Sequence, residues 1–132
     1  MRNYIHEHRD KVRDYECDLQ GIVNNANYQH YLEHARHEFL LSKGISFSKL
    51  HEDGIDCVVS GIEMRFKYPL RSMDEYIVRN NIKKEGLRYI FLQDIYRASD
   101  NKLCLKGKVE AVCLINGQLG DSIALMNAIL NS

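Results

Sequence analysis

Within Val12 to Arg36, VRDYECDLQGIVNNANYQHYLEHAR, Asp18 sits in a polar turn with Gly21, Asn24 and Asn25, just ahead of a run with helical periodicity. Those residue types in that order can do chemistry. The first N–H groups of a helix have no intrahelical acceptor and lie at the positive end of its dipole, so they can hold an anion or a polarised carbonyl. A carboxylate beside them can attack the carbonyl or activate water against it. Gly21 lets the backbone approach a ligand closely, and Asn24 or Asn25 starts the helix and offers the N–H groups. An Asp in a turn is also an ordinary Asx-turn or cap residue; Gly21 and the two asparagines single Asp18 out. Asp14 and Glu16 read as surface charge at a strand end.

Other patterns carry less. His30-Tyr31-Leu32-Glu33-His34 spells H-x-x-E-H, a zinc-hydrolase pattern in which two histidines share a helix face and the Glu acts as base. His30, His34 and His37 fall opposite the apolar stripe of the same helix, so a solvated polar face is the better reading and no metal is expected. No glycine-rich phosphate loop and no G-x-S-x-G elbow occurs. Cys17, Cys57, Cys104 and Cys113 form no C-x-x-C pair and read as free thiols. Cys104 and Cys113, an odd distance apart in one strand, should point to opposite faces. Hydrolytic chemistry therefore falls to a carboxylate.

The elements that must position these residues follow from periodicity. Residues 5–15 read as a strand, residues 16–25 as a turn, and Asn27 to Lys43 as a helix burying Tyr28, Tyr31, Leu32, Ala35 and Phe39, with Gly44 just beyond its end. Residues 46–50 read as a short helical turn. Period two then takes over: residues 58–66, with Val58, Ile62, Met64 and Phe66 on one face and Pro69 beyond its end; residues 75–84; residues 87–97; and residues 102–115. Asp121 or Ser122 caps a last helix, residues 123–130. One long helix against five antiparallel strands is an α+β layout. A single helix cannot cover five long strands, so a second copy is expected over the remaining face or edge.

Composition bounds the function. Residues 1–132 read as one domain. Eighteen basic residues balance eighteen acidic ones, which argues against nucleic acid as the main ligand. The polar N-terminal stretch lacks an apolar signal core, and no apolar run reaches the roughly 18 residues of a membrane helix. A cytoplasmic protein without membrane insertion is expected.

The string from Tyr15 to Tyr28, continued by Tyr31, Glu33, Ala35 and Arg36, fills every fixed position of Y-x-x-D-x-x-G-x-V-x-x-x-x-Y-x-x-Y-x-E-x-A-R. This closely resembles the signature of hotdog-fold acyl-CoA thioesterases, in particular the 4-hydroxybenzoyl-CoA thioesterase group that includes the Tol-Pal-associated enzyme. The resemblance continues through Phe66-Lys67-Tyr68-Pro69, Phe91-Leu92-Gln93 and Asp121-Ser122-Ile123. It implies a hotdog fold, a five-stranded antiparallel sheet wrapped around a central helix, in a homodimer or homotetramer with active sites between subunits. It implies hydrolysis of acyl-CoA to free acid and CoA with no cofactor beyond the CoA of the substrate. Asp18 matches the catalytic carboxylate, as nucleophile or general base. Asn25 matches the residue whose backbone N–H polarises the thioester carbonyl; Tol-Pal-type relatives often carry His there. Several relatives have His where this chain has Ile22, which makes the entrance more apolar. Tyr15 and Tyr28 would line the pocket beside Gly21, and Lys67, Arg71 and Arg88 would meet the CoA phosphates. An acyl-carrier-protein thioesterase and a non-catalytic acyl-CoA-binding module are the alternatives. A dehydratase is disfavoured, because the turn holds no suitable His.

Overall fold

Alternating apolar residues carry three long runs into an antiparallel meander in the computed structural model, which describes residues 3–130. Residues 1, 2, 131 and 132 of the expected 1–132 domain lie outside the described residues. The meander strands are β3 (Glu75–Glu85), β4 (Arg88–Arg97) and β5 (Lys102–Ile115). Strand β1 (His6–Lys11) pairs with β3, and β2 (Ile55–Phe66) pairs with β5, giving the order β1-β3-β4-β5-β2. A short β6 (Gln118–Gly120) joins β5 beside residues 113–115, just past where β4 leaves it. The sheet therefore has six strands, not the expected five; three residues are too few for alternation to register.

Helix α1 (Asn25–Ser42) packs on the sheet. It begins two residues before its expected start, because the Asn24 side chain caps it by accepting the Ala26 N–H at 3.0 Å. Tyr28, Tyr31, Leu32, Ala35 and Phe39 are all buried as expected, joined by Arg36 and Leu40. Next come α2 (Phe47–Glu52), capped by Ser46, and at the C-terminal side α3 (Ile123–Leu130). Ser122 caps α3 by accepting the Leu125 N–H, while Asp121 instead pairs with Lys84 at 2.6 Å.

Three expectations fail for local reasons. The first strand stops at Lys11. Residues Asp14–Glu16 form a 3-10 turn, because the Glu16 carboxylate reaches back to the Arg13 N–H at 2.8 Å. In β2, a bulge between Val59 and Gly61 shifts the alternation. Cys57 and Val59, not Val58, therefore share the inner face with Ile62, Met64 and Phe66, as their pairing with Cys113, Ala111, Val109, Gly107 and Leu105 shows. A second irregularity in β5 leaves Cys104 out of register, so Cys104 and Cys113 are both buried in one core.

A buried polar chain ties helix to sheet. Arg36 Nη1 donates to Gln93 Oε1 at 3.0 Å. Gln93 Nε2 donates to the Leu32 carbonyl and to Asn80 Oδ1, both at 2.9 Å. Asn80 Nδ2 then faces His6 Nδ1 at 3.0 Å. Every link has a partner, so the chain fixes helix position at little desolvation cost. Gly107 has no room for a side chain: a Cβ there would stand 2.6 Å from the Gln93 carbonyl of the paired strand β4 and 3.1 Å from Leu32 on the helix.

Strand β2 is an edge, and its apolar residues are uncovered: Val58, Val59, Ile62 and Phe66 are all more than 40% exposed. A long apolar edge of this kind invites pairing with another chain.

Candidate active site

The turn that carries Asp18 is built from short backbone bonds. The Asp18 N–H reaches the Ile22 carbonyl at 2.9 Å, and the Gly21 N–H reaches the Asp18 carbonyl at 3.0 Å. Gly21 closes it with φ of 77°, the left-handed region that a side chain resists. The loop is stitched to the segment after β2. Val23 N–H donates to Leu70 O at 2.9 Å, and Ile22 bridges to Arg71. Asp18 itself is exposed, and its Oδ1 accepts the Gln20 N–H at 2.8 Å. It is thus an Asx turn in this chain, with its carboxylate turned to solvent.

Glu16 clamps the turn onto α1. Its side chain accepts the Tyr31 hydroxyl at 2.8 Å as well as the Arg13 N–H, and its carbonyl accepts Asn24 N–H and Asn27 Nδ2. Burial together with this bond to Glu16 holds the Tyr31 phenol far above its usual range. The expectation that Glu16 is plain surface charge is therefore wrong: it fastens the helix N-terminus to the acid-bearing turn. A carboxylate three residues after a backbone donor was a visible capping pattern.

Asn25 occupies the first helical position, where the N–H has no intrahelical acceptor. It opens onto a cleft of about 230 Å³ lined by Ile22, Val23, Tyr28, Phe66, Lys67 and Tyr68, with Pro69 at its border. The structure thus brings together Asn25, Ile22, Tyr28 and Lys67, with Gly21 and Arg71 on the adjoining loop. Tyr28 is a wall and a core residue at once: its oxygen accepts the Leu70 N–H at 3.0 Å, and its ring lies 5.5 Å from Phe66. Tyr15 is 80% exposed on the 3-10 turn and does not line the cleft. Arg88 lies at the other end of the sheet, 3.2 Å from Glu110 and 3.6 Å from Glu85. Lys102, at the start of β5 and with no sequence signal to mark it, reaches the rim with its Nζ 4.2 Å above the Tyr68 ring.

A second cavity, about 280 Å³, lies farther along α1 between the helix and β2, β4 and β5. Leu40, Phe47, Val59, Tyr89 and Phe91 make it apolar, and Glu33, Arg36 and His37 give it polar groups. Burial holds Arg36 and His37 below their usual pKa values, with Glu33 opposing in both. Cys57 on its wall touches Cys113 at 3.6 Å, and that contact and burial push the Cys57 thiol well up. Cys57 is a neutral wall, not an activated nucleophile. Glu33 and Arg36 were legible as one helical turn of the E-x-A-R string, but no pocket could be assigned to them before the helix was placed. His30, His34 and His37 are exposed as expected. Two of them nonetheless touch other elements: His37 lies 4.6 Å from the Phe47 ring and His34 4.8 Å from the His8 ring.

The model of the thioesterase-like superfamily matches residues 12–130. A chloroplastic acyl-acyl carrier protein thioesterase of Arabidopsis thaliana is 40% identical over 113 residues, 85% of this chain and 60% of its own length. The chain thus spans about 60% of the length of that relative. A putative esterase of Aquifex aeolicus is 37% identical over 114 residues, covering 80% of this chain and 89% of its own. The structure of a 1,4-dihydroxy-2-naphthoyl-CoA thioesterase from Synechocystis superposes with a TM-score of 0.88 at 17% identity, covering 95% of both chains. At that identity the likeness shows the fold, a hotdog: an antiparallel sheet curled about a helix.

Proposed function

Because the chain belongs to the thioesterase-like superfamily, we propose that it is a thioester hydrolase, a single domain releasing free acid from an acyl-CoA. Within the superfamily, the filled motif from Tyr15 to Arg36 favours the 4-hydroxybenzoyl-CoA thioesterase group. The observation that carries the reading is the turn itself: a carboxylate on a pinned loop, four residues from Ile22, beside a helix whose first residue, Asn25, lines an apolar cleft.

A thioester carbonyl is a good electrophile with a fair leaving group. The Asn25 N–H receives the oxygen as negative charge develops. Asp18 either attacks the carbonyl carbon or takes a proton from the attacking water. Where Asp18 attacks, thiolate leaves behind a mixed anhydride that water then hydrolyses; where water attacks, the tetrahedral adduct expels thiolate directly; either way one water is consumed and the acid and the thiol are released. Lys67, Arg71 and Lys102 rim the cleft and suit the phosphates of CoA. The same cations suit the single phosphate on the pantetheine arm of an acyl carrier protein, and the Arabidopsis relative favours that second reading.

The site is best completed by a second copy. Each cavity alone, at about 280 and 230 Å³, is below the roughly 300 Å³ at which small-molecule sites begin, and Asp18 lines neither. Antiparallel pairing of two β2 edges about Gly61 sets the Phe66 end of one strand beside the Ile55 end of the other. That places the cleft of one copy next to the apolar cavity of its mate, which then takes the acyl group. It also covers the exposed apolar edge.

The test is thiol release from a panel of aromatic and aliphatic acyl-CoAs and the matching acyl-carrier proteins. Turnover by wild type, lost in Asp18→Asn, supports the hydrolase. Equal, slow release from both proteins across the panel overturns it. Preference for the carrier-protein series selects the second reading.

A further inference from the structure

Strand β1 turns a polar face toward the helix. His6, His8 and Asp10 are its less exposed positions, and the strand packs on α1. His6 stacks on Phe39 with ring centres 5.2 Å apart, which accounts for one of the three. Among the described residues no phenyl ring stacks on His8 in that way. His8 meets the ring of His34 edge-on at 4.8 Å. Its Nε2 is shut off from solvent, and among the described residues it has no hydrogen-bond partner. The nearest carboxylate oxygen, Asp10 Oδ2, stands 3.7 Å away, too far for a hydrogen bond. A shielded imidazole nitrogen with nothing to bond calls for an explanation, such as a ligand.

The surroundings prepare a donor set. Asp10 Oδ1 accepts the Lys11 N–H at 2.8 Å and lies 3.5 Å from Arg13 Nη2, which fixes the carboxylate and leaves Oδ2 toward the imidazoles. One donor atom each from His8, Asp10 and His34 fall within 4.8 Å of one another. Around a zinc ion bound at about 2.0–2.1 Å, donors stand roughly 3.3 Å apart. The His8–Asp10 pair is already close to that, and the half-exposed His34 side chain, whose Nε2 lies 3.8 Å from Glu38 Oε1, reaches the ion by a side-chain rotation that gives up this exposed contact. We propose that His8, Asp10 and His34 bind a divalent transition-metal ion, zinc or a similar cation, clipping edge strand β1 to helix α1. Two imidazoles and one carboxylate suit zinc, cobalt or nickel, and exclude magnesium and calcium as preferred ions. Three protein ligands leave the remaining positions to water. The site does not use the H-x-x-E-H spacing: His34 is shared with that string, but its partners come from β1 and not from His30.

Cobalt(II) titration of the tag-free protein, followed by visible d–d absorption, tests the proposal alongside thermal melts with and without zinc. Wild type is expected to bind one ion per chain saturably and to melt higher with zinc. His8→Gln, Asp10→Asn and His34→Gln should each weaken binding roughly tenfold or more, while His30→Gln leaves it unchanged. His34 is exposed, so its variant folds whatever the role of the other two. The proposal is overturned if wild type shows no saturable binding. It is equally overturned if His30→Gln abolishes binding while His8→Gln does not, which would assign the ion to the helical histidine pair.

Discussion

Asp18 and Asn25 can be separated from their structural duties by substitutions that alter one property each. Asp18 Oδ1 holds the Gln20 N–H, and an amide oxygen can do the same. Asp18→Asn should therefore leave the melting temperature nearly unchanged while kcat falls by about 10²–10⁴, measured by thiol release. Asn25 stands at the first helical position after an extended Asn24, a place where proline fits. Asn25→Pro removes the N–H together with the side chain, and Asn25→Ala removes the side chain alone. Asn25→Pro should fold and lose about 10²–10³ in kcat, whereas Asn25→Ala keeps most activity because the N–H remains. If Asn25→Pro is fully active, the oxyanion contact lies elsewhere.

At the scale of elements, the polar chain from Arg36 through Gln93 and Asn80 to His6 sets how β1, β3, β4 and α1 meet. Asn80 gives its oxygen to Gln93, so its amide nitrogen donates to His6 Nδ1, which must be unprotonated. Burial lowers the His6 pKa, with nearby His8 adding to the shift. The unfolded chain then takes up the proton first as pH falls, so the native bond is fully available above about pH 6.5 and lost as pH drops through that value toward the folded pKa. Thermal melts at pH 7 and pH 5 should show wild type falling, and His6→Gln, which keeps an acceptor, falling less. Gly107 sits between the paired strand β4 and Leu32 of the helix. Gly107→Ala should cost about 1–3 kcal/mol of stability in denaturant titrations, because the blocking atom at 2.6 Å is backbone and cannot turn aside.

For the whole molecule, the decisive surface is the free edge of β2. Its exposed apolar residues and the two small cavities are what the proposal of a second copy paired along that edge rests on. Sedimentation should give twice the chain mass for wild type. Ile62→Glu, which puts charge at the middle of the edge, should sediment as a single chain and lose activity together with association. A monomeric, fully active wild type would remove the composite site.

Much of this was legible in the chain. Period-two runs marked the meander and β2, the 3.6-residue period marked the buried face of α1, and turn and cap residues marked Asp18, Gly21 and the helix start, because those signals are local. Bulges were not legible. One extra residue near Ser60 and one at Cys104 inverted the expected faces, and a bulge depends on the register of two strands at once. Long-range pairing was equally silent: nothing near Glu16 announces Tyr31, nothing near Arg36 announces Gln93, and the H-x-x-E-H string hid that His34 meets β1 instead of His30. Sequence alone determined the long elements and the residue types offered for chemistry. Tertiary structure decided which of them meet, because contact between distant residues depends on how the sheet curls around the helix and not on their spacing along the chain.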